Sequence, residues 1–132
     1  MGVSSLPRGV WAASGFFALS GMGEVGFAFF DPSPLTFDAA WQALGRAVLH
    51  WLVAFGLWRR VALCRSVAIV YCLAAIVTYA AAILLAFAQV PVRFPPSVVF
   101  QSLYQVPSCL LLLPYLRSSA AAAAFPRPLF GP

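Results

Sequence analysis

Long apolar stretches separated by short polar segments divide this chain of 132 residues into four parts. Residues 66–90 contain no acidic residue, Lys, Arg or His, and a second such segment follows at 94–116. An apolar run of more than about 18 residues is long enough to cross the hydrocarbon core of a bilayer as a helix. The pattern therefore predicts an all-α fold, an integral membrane four-helix bundle.

The polar breaks predict where the membrane-spanning helices begin and end. Asp31, Pro32 and Pro34 supply turn chemistry and cannot continue a helix. The remaining breaks are the arginines at 59–65 and the Pro-containing segment at 91–96. We expect two antiparallel helical hairpins within a single transmembrane domain, residues 1–132, with spans at about 9–30, 37–58, 66–90 and 97–116.

The basic residues predict the orientation of these spans. One side of the membrane collects six arginines, namely Arg8, Arg59, Arg60, Arg65, Arg117 and Arg127. The other side carries Asp31, Asp38 and Arg93. Because cytoplasmic loops carry the excess of basic residues, both termini are predicted to be cytoplasmic. We expect a multi-pass protein of the bacterial inner (plasma) membrane, ending in a short cytoplasmic tail, 117–132, that continues from a frayed helix end.

Composition excludes several classes of function. The chain is 63% hydrophobic and 8% charged, and its net charge of +5 comes from arginines beside apolar runs rather than from a basic stripe. Lipid, not nucleic acid, is therefore the expected partner. The three cysteines, Cys64, Cys72 and Cys109, form no metal-binding or redox motif and are interpreted as packing residues. No nucleotide-binding or hydrolase motif is present, so we expect neither an enzyme nor a metal site.

Four polar residues lie inside the predicted first hairpin. Ionisable side chains at membrane depth are costly and indicate a functional site by default. In a hairpin folded about Leu35, Glu24 lies opposite Arg46, and Ser20 lies opposite His50. Ser20 and Glu24 are four residues apart on the first helix and therefore share a face of it. The same spacing places Arg46 and His50 on one face of the second helix. The sequence predicts a buried polar cluster of Ser20, Glu24, Arg46 and His50.

Three interpretations of this cluster remain open. The structural one is a Glu24–Arg46 ion pair, completed by hydrogen bonds from His50 and Ser20, that fixes the register of the hairpin. The functional one is a proton or cation site at Glu24. The third is a role for His50 as ligand to a haem or a chlorophyll-type pigment, although we expect no cofactor.

The fourth span carries a polar stripe at helical spacing. Its residues are Gln101, Tyr104, Gln105 and Ser108. Such a stripe either faces the Glu24–Arg46 pair or contacts a second membrane protein by hydrogen bonding.

Two resemblances support this topology. The segment GEVG around Glu24 resembles the first helix of the small multidrug resistance transporters, which implies transport coupled to that acid. The chain also resembles uncharacterised small four-helix bacterial inner-membrane proteins, through the segments GLWRR at Gly56–Arg60 and YLR at Tyr115–Arg117. This second resemblance spans most of the chain and implies the topology without an activity.

Small residues on the first and third spans allow close approach of a further helix. Together with the absence of a catalytic motif, they favour an accessory, assembly or stabilising subunit of a larger inner-membrane complex, whose partners are other integral membrane proteins. The alternatives are a small proton- or cation-coupled transporter or channel using Glu24, and a membrane immunity protein.

Overall fold

Five α-helices are present in the part of the chain that the computed structural model describes, residues 7–30, 37–88 and 96–125. They are α1 (Arg8–Phe30), α2 (Phe37–Trp58), α3 (Ala62–Phe87), α4 (Pro96–Arg117) and α5 (Ser119–Ala124). The all-α prediction is confirmed for these residues. The predicted turn at 31–36, the link at 91–95 and the end of the tail, 126–132, lie outside them.

The predicted limits of the first two spans agree closely with α1 and α2. Helix α3, Ala62–Phe87, begins and ends a few residues earlier than the predicted 66–90. By length and apolar composition, Arg8–Phe29 and Ala62–Leu85 are each able to cross a membrane. Helix α4 continues through Pro107 and Pro114.

Close helix packing holds α1 against α2, and this is the most extensive contact between helices among the described residues. A glycine makes part of it possible, since the indole of Trp51 lies directly over Gly21. Trp51 Nε1 also donates a hydrogen bond of 3.2 Å to the carbonyl of Ala18. Helices α3 and α4 form the second hairpin. The packing between the two hairpins is less extensive than the packing of α1 against α2.

A tight turn joins α2 to α3. The N–H of Val61 donates to the carbonyl of Gly56 at 2.8 Å, and the N–H of Arg60 donates to that of Leu57 at 2.9 Å. This is the hydrogen-bond pattern of a Schellman motif, in which the residue after the helix adopts a left-handed conformation. Arg60 is that residue, with φ 60°.

The hydrophobic core lies toward the end of the bundle where α1 begins and α4 ends. Its largest fully buried side chains are Phe17, Leu57, Leu116, Val10, Cys72 and Cys109. All three cysteines are free thiols, and two of them are fully buried.

The first part of the tail differs from the prediction of a frayed helix end. Ser118 caps a separate helix, α5, by accepting a hydrogen bond of 3.1 Å from the N–H of Ala121. Ala121 and Phe125 are buried in the core together with Val10 of α1. Phe125 provides the apolar surface that holds α5 against the bundle, so the chain up to this residue is part of the folded domain.

Candidate functional site

An ion pair joins the two helices of the first hairpin. Arg46 of α2 donates hydrogen bonds from Nε, at 3.1 Å, and from Nη2, at 3.0 Å, to the same oxygen, Oε2, of Glu24 on α1. The carboxylate is buried, with its side chain 5% exposed, whereas the Arg46 side chain is 53% exposed. The structure therefore brings together the two residues that the hairpin register places at equal depth.

Both residues of the pair lie well inside their helices. Arg46 follows Phe37, the first residue of α2, by nine positions, which corresponds to roughly 13 Å along the helix axis. Glu24 precedes Phe30, the last residue of α1, by six positions, or roughly 9 Å. The ion pair thus lies far from the helix ends.

His50 lies on the same face of α2 as Arg46 but packs toward the second hairpin. Its ring is 2% exposed and makes an edge-on contact with Tyr71 of α3, with centroids 4.9 Å apart. Phe17 of α1 covers another side, at 6.0 Å. Neither ring nitrogen has a hydrogen-bond partner among the described residues.

The hydrogen bonds from His50 and Ser20 that would complete the ion pair are therefore not seen among the described residues. Ser20 is buried, but its hydroxyl also lacks a hydrogen-bond partner within the described part of the chain. Equal depth in a hairpin does not fix the direction in which a side chain leaves its helix. In this structure the His50 ring turns to the aromatic residues of α1 and α3 instead of to Ser20.

The residues of the polar stripe on α4 lie in different environments. Gln105 is buried and accepts a hydrogen bond of 2.9 Å from the hydroxyl of Tyr79 on α3. Tyr104 stacks on Phe16 of α1, with ring centroids 5.6 Å apart. Ser108 is half-buried, and the side chain of Gln101 lies outside the described residues. Only Gln105 is placed near the ion pair.

A cavity of about 480 Å³ lies between the two hairpins. All four long helices contribute to its walls. The lining residues are Glu24, Arg46, Leu49, His50, Tyr71, Ala74, Ala75, Thr78, Tyr79 and Gln105. The cavity thus joins three of the four residues of the predicted cluster to one residue of the predicted stripe.

The sequence analysis missed the contribution of α3 to this site. Tyr71, Ala75, Thr78 and Tyr79 recur at the spacing of one helical face. Three of these four carry a hydroxyl, so a polar face was detectable within the most apolar span. It was overlooked because none of its residues is charged.

The arrangement provides hydrogen bonding without a net charge, since Glu24 and Arg46 neutralise one another. No group of three or more His, Cys, Asp and Glu side chains that could hold a metal ion occurs in residues 7–30, 37–88 and 96–125. Comparison with protein-family models, curated proteins and solved structures finds no match to this chain.

Proposed function

We propose that this protein is an accessory, assembly or stabilising subunit of a larger bacterial inner-membrane complex, and that it spans the membrane four times. Its surface supports the membrane placement, because large apolar side chains are exposed on every long helix. Among them are Trp11, Leu19, Met22, Trp41, Leu52, Phe55, Val70, Val77, Leu84, Leu103 and Leu111. A surface of this kind is suited to lipid rather than to water.

The fold also supports the proposed orientation. Arg65, near the start of α3, donates a hydrogen bond of 2.7 Å from Nε to the carbonyl of Leu116, at the end of α4. Hence the arginines at these two helix ends lie on one side of the bundle. Reporter fusions after Arg60 and after Pro132 should both behave as cytoplasmic, and a fusion after Asp38 as periplasmic. A periplasmic reporter after Pro132 would overturn the topology.

One observation carries the proposed role: the side chain of Arg46 lines the cavity and is half-exposed, although it lies well inside its helix. Lipid tails cannot satisfy a guanidinium at that depth. Beside it, α3 exposes Ala74, Thr78 and Ala81, which recur on one face. Small residues at this spacing allow another helix to approach closely. A partner helix seated there would cover Arg46 and exclude lipid from it.

Site-specific photo-crosslinking in intact cells tests this role. A photoreactive residue in place of Thr78 should give an adduct with one defined membrane protein, which also co-purifies in stoichiometric amount after gentle solubilisation. The matched control is the same residue in place of Leu111, which is highly exposed on α4. Recovery of only a monomer or homodimer, or an identical adduct pattern from both positions, would contradict the proposal.

The cavity supports a second candidate, small-solute or proton-coupled transport through Glu24. A transport site needs a space that reaches the acid, and Glu24 is part of the cavity wall. The ion pair with Arg46 opposes this candidate, because Arg46 already occupies one oxygen of the carboxylate with two hydrogen bonds. Purified protein in liposomes should show an ion- or proton-dependent flux that Glu24→Gln abolishes if transport is the function. A lack of flux in liposomes that retain the folded protein would favour the subunit role.

A further inference from the structure

Arginines surround the end of the bundle where α1 and α3 begin and where α2 and α4 end. Within the described residues they are Arg8, Arg59, Arg60, Arg65 and Arg117. None of them forms an ion pair with another residue that the structure describes. This end of the molecule therefore carries positive charge that the described part of the chain does not neutralise.

The acidic residues of the chain belong to other places. Glu24 lies well inside α1 and is bound by Arg46. Asp31 directly follows α1 in sequence, and Asp38 is the second residue of α2, so both belong to the opposite end of the first hairpin. Helix α5, which packs against α1 and α4, consists only of serine and alanine. The counter-charge for these arginines must come from outside the chain.

Two contacts bring three of the helix ends together. Arg65, in the first turn of α3, donates a hydrogen bond of 2.7 Å from Nε to the carbonyl of Leu116, next to the end of α4. The ring of Tyr115, in the last turn of α4, lies directly on Gly9, the second residue of α1. The start of α1, the start of α3 and the end of α4 thus meet, and each carries an arginine.

The end of α2 lies at a different corner of the bundle. Helix α4 packs against α1 and α3, and so does α2, which places α2 and α4 diagonally. Arg59, which follows α2, has its guanidinium over the ring of Phe55, 6.0 Å from the centroid. Axes of neighbouring helices are about 8–10 Å apart, so arginines on adjoining helix ends are able to contact one phosphate group. Arg59 is separated from the end of α4 by the diagonal of the bundle.

Exposed apolar side chains adjoin these arginines. Trp11 follows Arg8 by three positions on α1 and is 59% exposed, and Leu110 precedes Arg117 by seven positions on α4 and is 54% exposed. These spacings place each apolar residue on the same helix face as its arginine. Tryptophan is enriched where a membrane meets water. A ligand that matches both features has an anionic group joined to an apolar chain.

We propose that the ends of α1, α3 and α4 bind the phosphate group of an anionic phospholipid through Arg8, Arg65 and Arg117. A guanidinium matches the geometry of phosphate with parallel hydrogen bonds. Arg65 is suited to this role, because it uses Nε for Leu116 and its two terminal nitrogens donate to no other described residue. The inference rests on the membrane placement proposed above, but it does not depend on the subunit role.

Native mass spectrometry of the full chain, released from neutral detergent micelles, tests the preference for an anionic head group. The protein is titrated with dioleoyl phosphatidylglycerol or with dioleoyl phosphatidylcholine, which have the same acyl chains. We expect phosphatidylglycerol to bind at least tenfold more tightly, because each arginine near an anionic lipid contributes a factor of about five. Equal affinities would overturn the proposal. Displacement of the lipid by inorganic phosphate or by hexaglutamate at a similar concentration would show recognition of charge alone, and would also overturn it.

Matched variants locate the binding site. Arg8→Gln and Arg117→Gln each change an exposed residue, and each should weaken the binding of phosphatidylglycerol about fivefold. Arg59→Gln removes the same charge at the other corner and should change the affinity less than twofold. Circular dichroism establishes that all three variants are folded. An equal loss in all three would reduce the site to a general attraction between basic residues and lipid, and would overturn the assignment.

The outcomes also separate this inference from the proposed function. A chain that remains soluble without detergent or lipid refutes the membrane placement and the lipid site together. A chain that requires detergent but shows no preference for phosphatidylglycerol contradicts only the lipid site. A chain that shows the preference, but captures no partner protein in cells, contradicts only the subunit role.

Discussion

Arg46 directs two of its N–H groups to one oxygen of Glu24, and the two side chains differ greatly in exposure. Arg46→Leu leaves a buried carboxylate without its partner, and we expect a loss of about 3 kcal/mol in the free energy of unfolding. Glu24→Gln keeps a side-chain oxygen that can accept from the guanidinium and should cost less, about 1 kcal/mol. Denaturation by sodium dodecyl sulfate in mixed micelles, followed by circular dichroism, measures both values.

The double variant Glu24→Gln with Arg46→Leu should be more stable than Arg46→Leu alone, because no unpaired charge remains. Gln42→Leu, on an exposed position of the same helix, serves as the control and should change stability little. If the two single variants lose equal free energy of unfolding and the double variant loses the sum, Glu24 and Arg46 do not stabilise one another.

Tyr79 and Tyr115 are predicted to respond oppositely to removal of the hydroxyl. Tyr79→Phe takes away the donor to the buried oxygen of Gln105 and should lower the free energy of unfolding by about 1–2 kcal/mol. The hydroxyl of Tyr115 is buried without a hydrogen-bond partner in the described residues, so Tyr115→Phe should be neutral or stabilising. The same denaturation measurement compares them. A similar loss in both variants would contradict the assigned hydrogen bond.

Glycine is required at position 21 but not at position 45. A Cβ at Gly21 would lie 2.5 Å from Trp51 Nε1 and 3.1 Å from the carbonyl oxygen of Ala47. Gly21→Ala should therefore cost about 1–3 kcal/mol through overpacking between α1 and α2. A Cβ at Gly45 meets nothing within 4 Å, so Gly45→Ala should stabilise by about 0.5–1 kcal/mol through its higher helix propensity. Thermal unfolding in detergent distinguishes the two, and stabilisation by both would refute the close contact.

The turn between α2 and α3 contains a left-handed residue that is not glycine. A side chain in this conformation costs about 1 kcal/mol, so Arg60→Gly should raise the free energy of unfolding by about 0.5–1 kcal/mol. Arg59→Gly removes the same charge from a residue without positive φ and should lower stability by a similar amount. Chemical denaturation of both variants checks the sign of each change. If both variants were destabilised equally, the change in stability would come from loss of the charge rather than from backbone conformation.

Contacts within one hairpin were predictable from the sequence, whereas contacts between hairpins were not. A short turn fixes which residues of adjacent helices lie at the same depth, and this is sufficient to place Glu24 near Arg46. The contact of His50 with Tyr71 depends on how the second hairpin rotates against the first. That rotation results from packing of the entire interface and has no local signature.

The helix α5 shows a second limit of sequence patterns. Ser118 and the alanines that follow it indicate a helix, but nothing in the pattern of 119–125 distinguishes a mobile end from a packed one. Phe125 is buried in a core that it shares with apolar residues of the long helices, and this burial depends on the folded bundle rather than on the local pattern. The four long helices were predicted because polar breaks separate them, and two of them, over Arg8–Phe29 and Ala62–Leu85, are long and apolar enough to cross a membrane.

Phe125 and Val10 are buried in the same core, which has implications for the order of events during synthesis on the ribosome. The first hairpin holds its own ion pair and can assemble as soon as Trp58 has emerged, before the remaining helices exist. The beginning of α1 cannot complete its packing until Phe125 has been translated. A nascent chain that stalls after α2 would thus have a formed hairpin with an uncovered apolar end, which a chaperone or insertase must shield until α5 arrives.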